Sequence, residues 1–104
     1  MISEGYIYIP MEVLYYNITA QSKLLYGLLY KETNKGQRAY TKDYKLLAIT
    51  LDITPRTIYR SIKELKENNL IHTKINILKR KELTLIRPEY KEPKTIAELF
   101  RKIK

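Results

Sequence analysis

The sequence predicts a mostly helical α+β fold in which several helices are followed by a β-hairpin and one further helix. Three observations predict it. Apolar residues recur at helical spacing through the middle of the chain, Thr54 and Pro55 form a strong helix start, and the apolar pattern changes to strict alternation after Leu70. The length of 104 residues suffices for one domain with one core.

The residue pattern of the N-terminal third predicts one strand and two helices. Residues 6–9 have a strand pattern that Pro10 stops, and Pro10 opens a short helix that ends near Asn17. Thr19 is the expected N-cap of the next helix, and Gly36 is its expected C-terminal stop. The inward face of this second helix is expected to contain Leu24, Leu25, Leu28 and Leu29.

A short helix is predicted in the middle of the chain. Residues 38–40 suggest a short strand, and Thr41 then caps a helix over residues 42–50. We expect Leu46 and Leu47 to point inward, together with Ile49 or Tyr44.

The next helix has the clearest boundaries. Asp52 lies in a tight turn, Thr54 is the N-cap, and Pro55 occupies the first helical position. The helix continues to about Asn68, and Asn69 suits the left-handed conformation that closes a helix.

The C-terminal third predicts a hairpin and a final helix. The inward side of the first strand is expected to contain Ile71, Thr73, Ile75 and Ile77. A basic tip, Lys79, Arg80 and Lys81, leads to a returning strand over residues 83–87. After a linker, Thr95 caps a helix whose apolar face consists of Ile96, Leu99, Phe100 and Ile103. We expect a domain over residues 1–90 and an amphipathic helix over residues 91–104.

The composition favours an anionic partner. Twenty Lys and Arg residues stand against 11 Asp and Glu residues, which gives a net charge of +9. Such an excess points to nucleic acid first and to an acidic membrane surface second. The absence of cysteine excludes disulfides and thiolate chemistry, and no apolar run is long enough to span a bilayer. The N-terminus has no signal-peptide pattern, so we expect a cytoplasmic protein.

The helix from Thr54 carries the strongest functional pattern. Its core face is expected to contain Ile58, Ile62 and Leu65. The opposite surface of its first turns carries Arg56, Thr57, Tyr59, Arg60 and Lys63, which are side chains that contact phosphates and base edges in a major groove. Glu64 and Glu67 lie in the C-terminal half, so DNA contact is expected at the N-terminal half. The alternative is a solvated charged face.

The hairpin is the second candidate for DNA contact. Its tip, Lys79, Arg80 and Lys81, suits backbone contact in an adjacent minor groove, and Lys74 offers one more phosphate contact. The alternative is a basic turn that keeps an edge strand soluble.

These segments together resemble a known family. The run over residues 47–71, LAITLDITPRTIYRSIKELKENNLI, is similar to the winged helix-turn-helix pattern of bacterial, plasmid and phage proteins. The upstream runs YIP (8–10) and SKLLYGLL (22–29) resemble the N-terminal domain of plasmid replication initiators and phage replisome proteins. The resemblance covers residues 6–77 and implies DNA binding in replication or its control.

Two departures from the family pattern are visible. Asp52 and Asn69 replace glycines that are usual in the turn and after the helix, but both residue types tolerate positive φ. The chain also stops where an initiator would continue, so we expect a small accessory or regulatory protein.

Other chemistry has little support in the sequence. His72 is the single histidine, on the polar side of a strand, and no metal site or cofactor is expected. The carboxylates form no acid/base pair and the glycines form no phosphate loop, so we expect no enzyme. Three roles are open for the final helix: packing on the core, forming a homodimer seam, or contacting a membrane. We favour the homodimer seam.

We therefore expect a winged-helix protein that binds duplex DNA. The rival interpretations are a single-stranded DNA-binding protein in which Tyr59 stacks on bases, a transcriptional regulator, and a protein-interaction module that does not bind DNA.

Overall fold

The computed structural model describes residues 7–88. Its elements in chain order are α1 (Met11–Leu14), α2 (Ala20–Glu32), α3 (Tyr44–Leu51), α4 (Pro55–Glu67), β1 (Ile71–Ile75) and β2 (Lys81–Leu85). This order confirms the predicted mostly helical α+β fold with a hairpin after the last described helix. The helix predicted from Thr95 and the boundary near residue 90 lie outside the described residues.

The N-terminal segment packs on α2 instead of forming the predicted strand. Residues 7–9 have no strand partner, and Ile7 and Ile9 contact the core. A Cβ atom at Gly27 would lie 2.8 Å from Cγ1 of Ile9 and 3.2 Å from the carbonyl oxygen of Tyr8. The alternating apolar residues therefore reflect packing against a helix where glycine leaves room for the backbone.

Helix α2 has the predicted N-cap but an earlier end. The Thr19 hydroxyl accepts a hydrogen bond from the Ser22 backbone N–H. The helix stops at Glu32, and Gly36 adopts a left-handed φ of 81° four residues later. The predicted inward face is largely confirmed, because Leu25, Leu28 and Leu29 are buried; Leu24, however, is 44% exposed.

Helix α3 begins two residues later than predicted. Its N-cap is Asp43, whose carboxylate accepts from the Lys45 backbone N–H at 2.9 Å, and not Thr41. The later start rotates the inward face, so the buried residues are Tyr44, Leu47 and Ala48. The predicted inward position of Leu47 is confirmed and that of Leu46 is wrong; of the alternatives Ile49 and Tyr44, Tyr44 is the buried one.

Helix α4 matches its prediction closely. Thr54 caps it, Pro55 opens it, and Ile58, Ile62 and Leu65 are buried. The non-glycine turn residues tolerate positive φ as expected: Asp52 has a φ of 55° and Asn69 a φ of 58°. Asp52 thus makes the turn between α3 and α4, and Asn69 makes the turn from α4 into β1.

The antiparallel hairpin β1–β2 pairs Ile71 with Leu85 at its base and Ile75 with Lys81 at its tip. Strand β2 starts at Lys81 and not at residue 83, so it lies two residues closer to the tip of the hairpin than predicted. Tyr40 adds a single bridge to Leu83, which confirms extended backbone at the end of the predicted strand over residues 38–40.

One hydrophobic core joins these elements. Helix α4 packs against α2, α3 and β1. The hairpin base enters this core through Leu70, Ile71 and Leu83, which are 0%, 3% and 0% exposed. Because an isolated two-stranded hairpin is marginally stable, this burial holds it in place. The alternation predicted beyond Thr73 is wrong: Ile75 and Ile77 are exposed.

Candidate nucleic-acid interface

The outward face of α4 presents a cationic ridge. Arg56, Arg60 and Lys63 are all exposed. Within residues 7–88 none of the three forms an ion pair, since the ion pairs there are Lys42–Glu32 and Lys74–Glu82. Their charged ends are thus available to an external anion.

Thr57 serves the helix start. Its backbone N–H donates to the Thr54 hydroxyl at 3.2 Å, and the two hydroxyl oxygens lie 2.9 Å apart. The side chain is half-buried. Thr57 therefore fixes the N-terminus of α4, with the hydroxyl facing its own cap.

Tyr44 of α3 links α4 to the hairpin, through Tyr59 on the one and Lys81 on the other. The Tyr59 ring meets the Tyr44 ring edge-to-face at 5.7 Å between centroids, and the Tyr59 side chain remains 52% exposed. The Lys81 ammonium lies 5.9 Å from the centroid of Tyr44, within range of a cation–π contact. Burial, followed by the neighbouring Tyr59, raises the pKa of Tyr44. One aromatic residue thus contacts both candidate DNA-binding elements.

Glu64 is turned away from the ridge. Its carboxylate accepts hydrogen bonds from the Ser22 hydroxyl, the Thr19 hydroxyl at 2.9 Å and the Thr19 backbone N–H at 3.1 Å. These atoms lie at the N-terminus of α2, where negative charge is favourable. The pKa of Glu64 is lowered, above all by the hydrogen bond from Ser22; desolvation opposes this shift, and the hydrogen bonds from Thr19 add to it. Only Glu67 of the two acids remains on the outward face.

Replacing Glu64 by glutamine is expected to destabilise the protein at neutral pH, because the charge-assisted hydrogen bonds of the carboxylate are lost. The loss should be only about 1 kcal/mol, since such bonds are weak at an exposed site. Since the pKa of Glu64 is below its usual 4.5 in the folded state, the carboxylate contributes its full stability above that pH. The contribution is lost as the pH falls through the folded-state pKa.

Urea unfolding of the wild type and of E64Q between pH 7 and pH 3 measures this effect. The matched control is E67Q, which removes the same charge from an exposed side chain on the same helix. A stability difference between wild type and E64Q that does not shrink toward acid would contradict the assignment.

The hairpin tip is organised by one asparagine. The Asn76 side-chain oxygen accepts from the backbone N–H groups of Leu78 and Arg80 at 2.9 and 3.0 Å. Its side-chain N–H donates to Glu82 at 2.9 Å, and Lys79 adopts a left-handed φ of 62°. The tip is therefore a defined turn.

The predicted cations of the hairpin are exposed. Lys79, Arg80 and Lys81 lie at the surface of the tip and of the adjoining strand end. Lys74 is also exposed, but its ammonium lies 3.8 Å from the Glu82 carboxylate. Three of the four predicted cations are therefore free of ion pairs within the described residues.

Replacing Asn76 by alanine is expected to open the tip while the core remains intact. The backbone N–H groups of Leu78 and Arg80 lose their acceptor, so their amide exchange should accelerate roughly tenfold or more. Amide exchange measured by NMR tests this, with N17A, at an exposed loop position, as the control. Unchanged exchange at both amides would show that Asn76 does not hold the turn.

A groove runs between α4 and the hairpin. Its volume is about 540 Å³, and its lining includes Lys63, Lys66, Lys74 and Lys81, one acid, Glu67, and Tyr44 and Tyr59. Sequence patterns did not predict Lys66 and Tyr44 at this site. Lys66 falls in the C-terminal half of α4, and Tyr44 was weighed only as a core residue. Lysines on both sides of one groove suit a polyanion strand.

The described residues offer little else in chemistry. Among residues 7–88 no cluster of three His, Cys, Asp or Glu residues has the geometry to hold a metal, and His72 is exposed on β1. The same part of the chain contains no helix long and apolar enough to cross a bilayer.

A helix-turn-helix followed by a packed β-hairpin defines a winged helix-turn-helix protein, and we call the hairpin, residues 71–85, the wing. The profile of the family described as helix-turn-helix domain matches residues 16–71, more than half of the chain. The protein belongs to this family.

Two solved structures share the fold. One, described as the N-terminal domain of a DNA-binding protein, has a TM-score of 0.71 at 18% identity and covers 96% of this chain and 87% of its own. The other, described as the structure of a Rep–DNA complex, has a TM-score of 0.71 at 19% identity and covers 96% and 88%. None of the curated proteins matches the sequence. The resemblance to replication-initiator N-terminal domains is confirmed at the level of fold.

Proposed function

We propose that this protein binds duplex DNA through the outward face of α4 and the wing. The observation that carries the proposal is the groove lined by lysines from both elements, with Arg56 and Arg60, which form no ion pair among residues 7–88, on the adjoining ridge. A reading helix with exposed cations in its first turns fits a major groove, and a basic wing fits the neighbouring backbone.

The proposed contacts divide by element. On α4, Arg56, Tyr59, Arg60 and Lys63 contact base edges and phosphates, and Thr57 supports them through the helix cap. On the wing, Lys79, Arg80 and Lys81 contact the backbone. Lys74 adds to them when Glu82 releases it. Phosphate contacts fix the register of the protein, and the α4 side chains read sequence.

The proposed process is DNA replication or its control in a plasmid, phage or other mobile element, without a catalytic role of this chain. Support comes from the two structural relatives, one described as a DNA-binding protein and the other as a Rep–DNA complex. Such a role would place the protein in the cytoplasm. A transcriptional role would use the same surface.

The proposed homodimer involves the apolar stripe of Ile96, Leu99, Phe100 and Ile103, outside the described residues. A dimer would bring two α4 helices to half-sites about one helical turn of DNA apart. Sedimentation of the complex with duplexes of varied half-site spacing tests it, and a monomer on every duplex would exclude it.

A specific observation supports single-stranded DNA as the second candidate. Tyr59 is half exposed on the wall of the groove, where a splayed base would stack on its ring. A protein-interaction module would bind neither strand form.

Competition binding separates these functions. Labelled duplex of mixed sequence is titrated with the protein at several salt concentrations, and unlabelled duplex or single strand competes. We expect duplex to compete better and the logarithm of the affinity to fall linearly with the logarithm of the salt concentration. Stronger competition by single strands would favour the second candidate, and no binding at low salt would exclude both.

A further inference from the structure

The tip of the wing exposes large apolar side chains. Ile75 is 67% exposed, Ile77 is 96% exposed and Leu78 is 71% exposed. Ile77 and Leu78 are adjacent at the apex of the turn. Exposed apolar side chains that occur singly are common on protein surfaces, but a cluster at the end of a projecting element indicates a contact surface.

The fold holds these side chains outward. The Asn76 side-chain oxygen accepts hydrogen bonds from the backbone N–H groups of Leu78 and Arg80, and these bonds fix the turn that carries Ile77 and Leu78. The buried base of the wing at Ile71 lies four residues before Ile75, which corresponds to about 13 Å of extended strand. The apex therefore projects beyond the core and has no described neighbour to cover it.

Cations surround the apolar apex. Lys79, Arg80 and Lys81 follow it directly, and Lys74 precedes it on β1. The nearby acid, Glu82, is engaged by Lys74 and Asn76. An apolar apex flanked by cations matches a partner that has an anionic rim and an apolar interior.

From this arrangement we infer that the wing inserts Ile77 and Leu78 as a wedge into the minor groove of duplex DNA and kinks it. The inference rests on the proposed duplex binding by α4. Proteins that bend DNA push isoleucine or leucine side chains between base pairs while Arg and Lys hold the flanking phosphates. Such a wedge favours pyrimidine–purine steps, above all TA, which unstack most easily.

The geometry favours DNA over an acidic lipid surface. Lys74 and Lys81, which flank the wedge, also line the groove shared with α4, so one continuous polyanion would contact both. Two side chains also bury little area in a bilayer, where a stable attachment needs a larger apolar face.

The test measures DNA bending with duplexes of about 30 base pairs that carry donor and acceptor dyes at their ends. One duplex has central TA steps and a second has the same composition without them. The variant is I77S/L78S, and the matched control is L46S/I49S, which removes the same two residue types from exposed positions on α3.

For the wild type and the control we expect energy transfer to rise on binding, more with the TA duplex. For I77S/L78S we expect the bend to disappear and the affinity for the TA duplex to fall about tenfold. The slope of affinity against salt should stay unchanged, because the variant removes no charge.

Four results would overturn the inference. A wild type that binds without bending, or a variant that bends DNA as well as the wild type, removes the wedge while duplex binding stands. If I77S/L78S still bends DNA but no longer binds phosphatidylserine vesicles that the wild type binds, the apex contacts lipid instead of DNA. No wild-type binding to either duplex at low salt removes the proposed function, and the wedge with it.

Discussion

Reversing the charge of Arg56 and Arg60 to glutamate is expected to weaken duplex binding roughly 100-fold or more, because each arginine contact with a base or phosphate contributes on the order of 1–3 kcal/mol. Both side chains are exposed on the first turns of α4 and are unpaired within the described residues. The salt dependence of binding should also become shallower, since fewer counterions are released. Fluorescence anisotropy across a salt series measures both quantities.

The control variant must change the net charge by the same amount as R56E/R60E, at positions far from α4. K31E/R38E does so, because Lys31 and Arg38 are exposed at the C-terminal end of α2 and just beyond it. The N-terminus of α2 borders α4, and the helix is about 18 Å long. If both double variants lose affinity equally, net charge alone drives binding and α4 is not the contact surface.

Replacing Leu65 by alanine is expected to destabilise the protein by about 3 kcal/mol, because Leu65 is fully buried and its removal leaves a cavity. For a domain of this size such a loss lowers the melting temperature by roughly 15 °C. Thermal and urea unfolding followed by circular dichroism measure the change.

Leu46→Ala is the matched control, since Leu46 is 47% exposed on α3. We expect it to change stability by less than about 0.5 kcal/mol. A loss in L46A as large as in L65A would support the inward position that the sequence pattern predicted and would contradict the observed packing of α3.

The parts of the fold that were predictable depend on local signals. Thr54 and Pro55 specify the start of α4 by side-chain capping and a fixed φ, and its apolar spacing then defines the core face. The boundary of α3 was missed because Thr41 and Asp43 are both good caps, and tertiary packing chooses between them. The strand predicted near the N-terminus was wrong because alternating isoleucines also pack over a glycine on a helix.

The candidate site shows the same division. Exposed cations on α4 follow directly from helical geometry, so Arg56, Arg60 and Lys63 were predictable. The role of Glu64 depends on Thr19, which is 45 residues away in the chain, and no local pattern contains that pairing. The burial of Tyr44 between Tyr59 and Lys81 likewise requires the tertiary structure.

The contact of Tyr44 with both Tyr59 and Lys81 has a consequence for affinity. Because the buried Tyr44 ring contacts both α4 and the wing, these two elements are held together before any ligand arrives. Ordering a flexible element upon binding costs entropy, and a pre-organised pair avoids much of that loss. The proposed contact with DNA would thereby retain more of its interaction energy as binding energy.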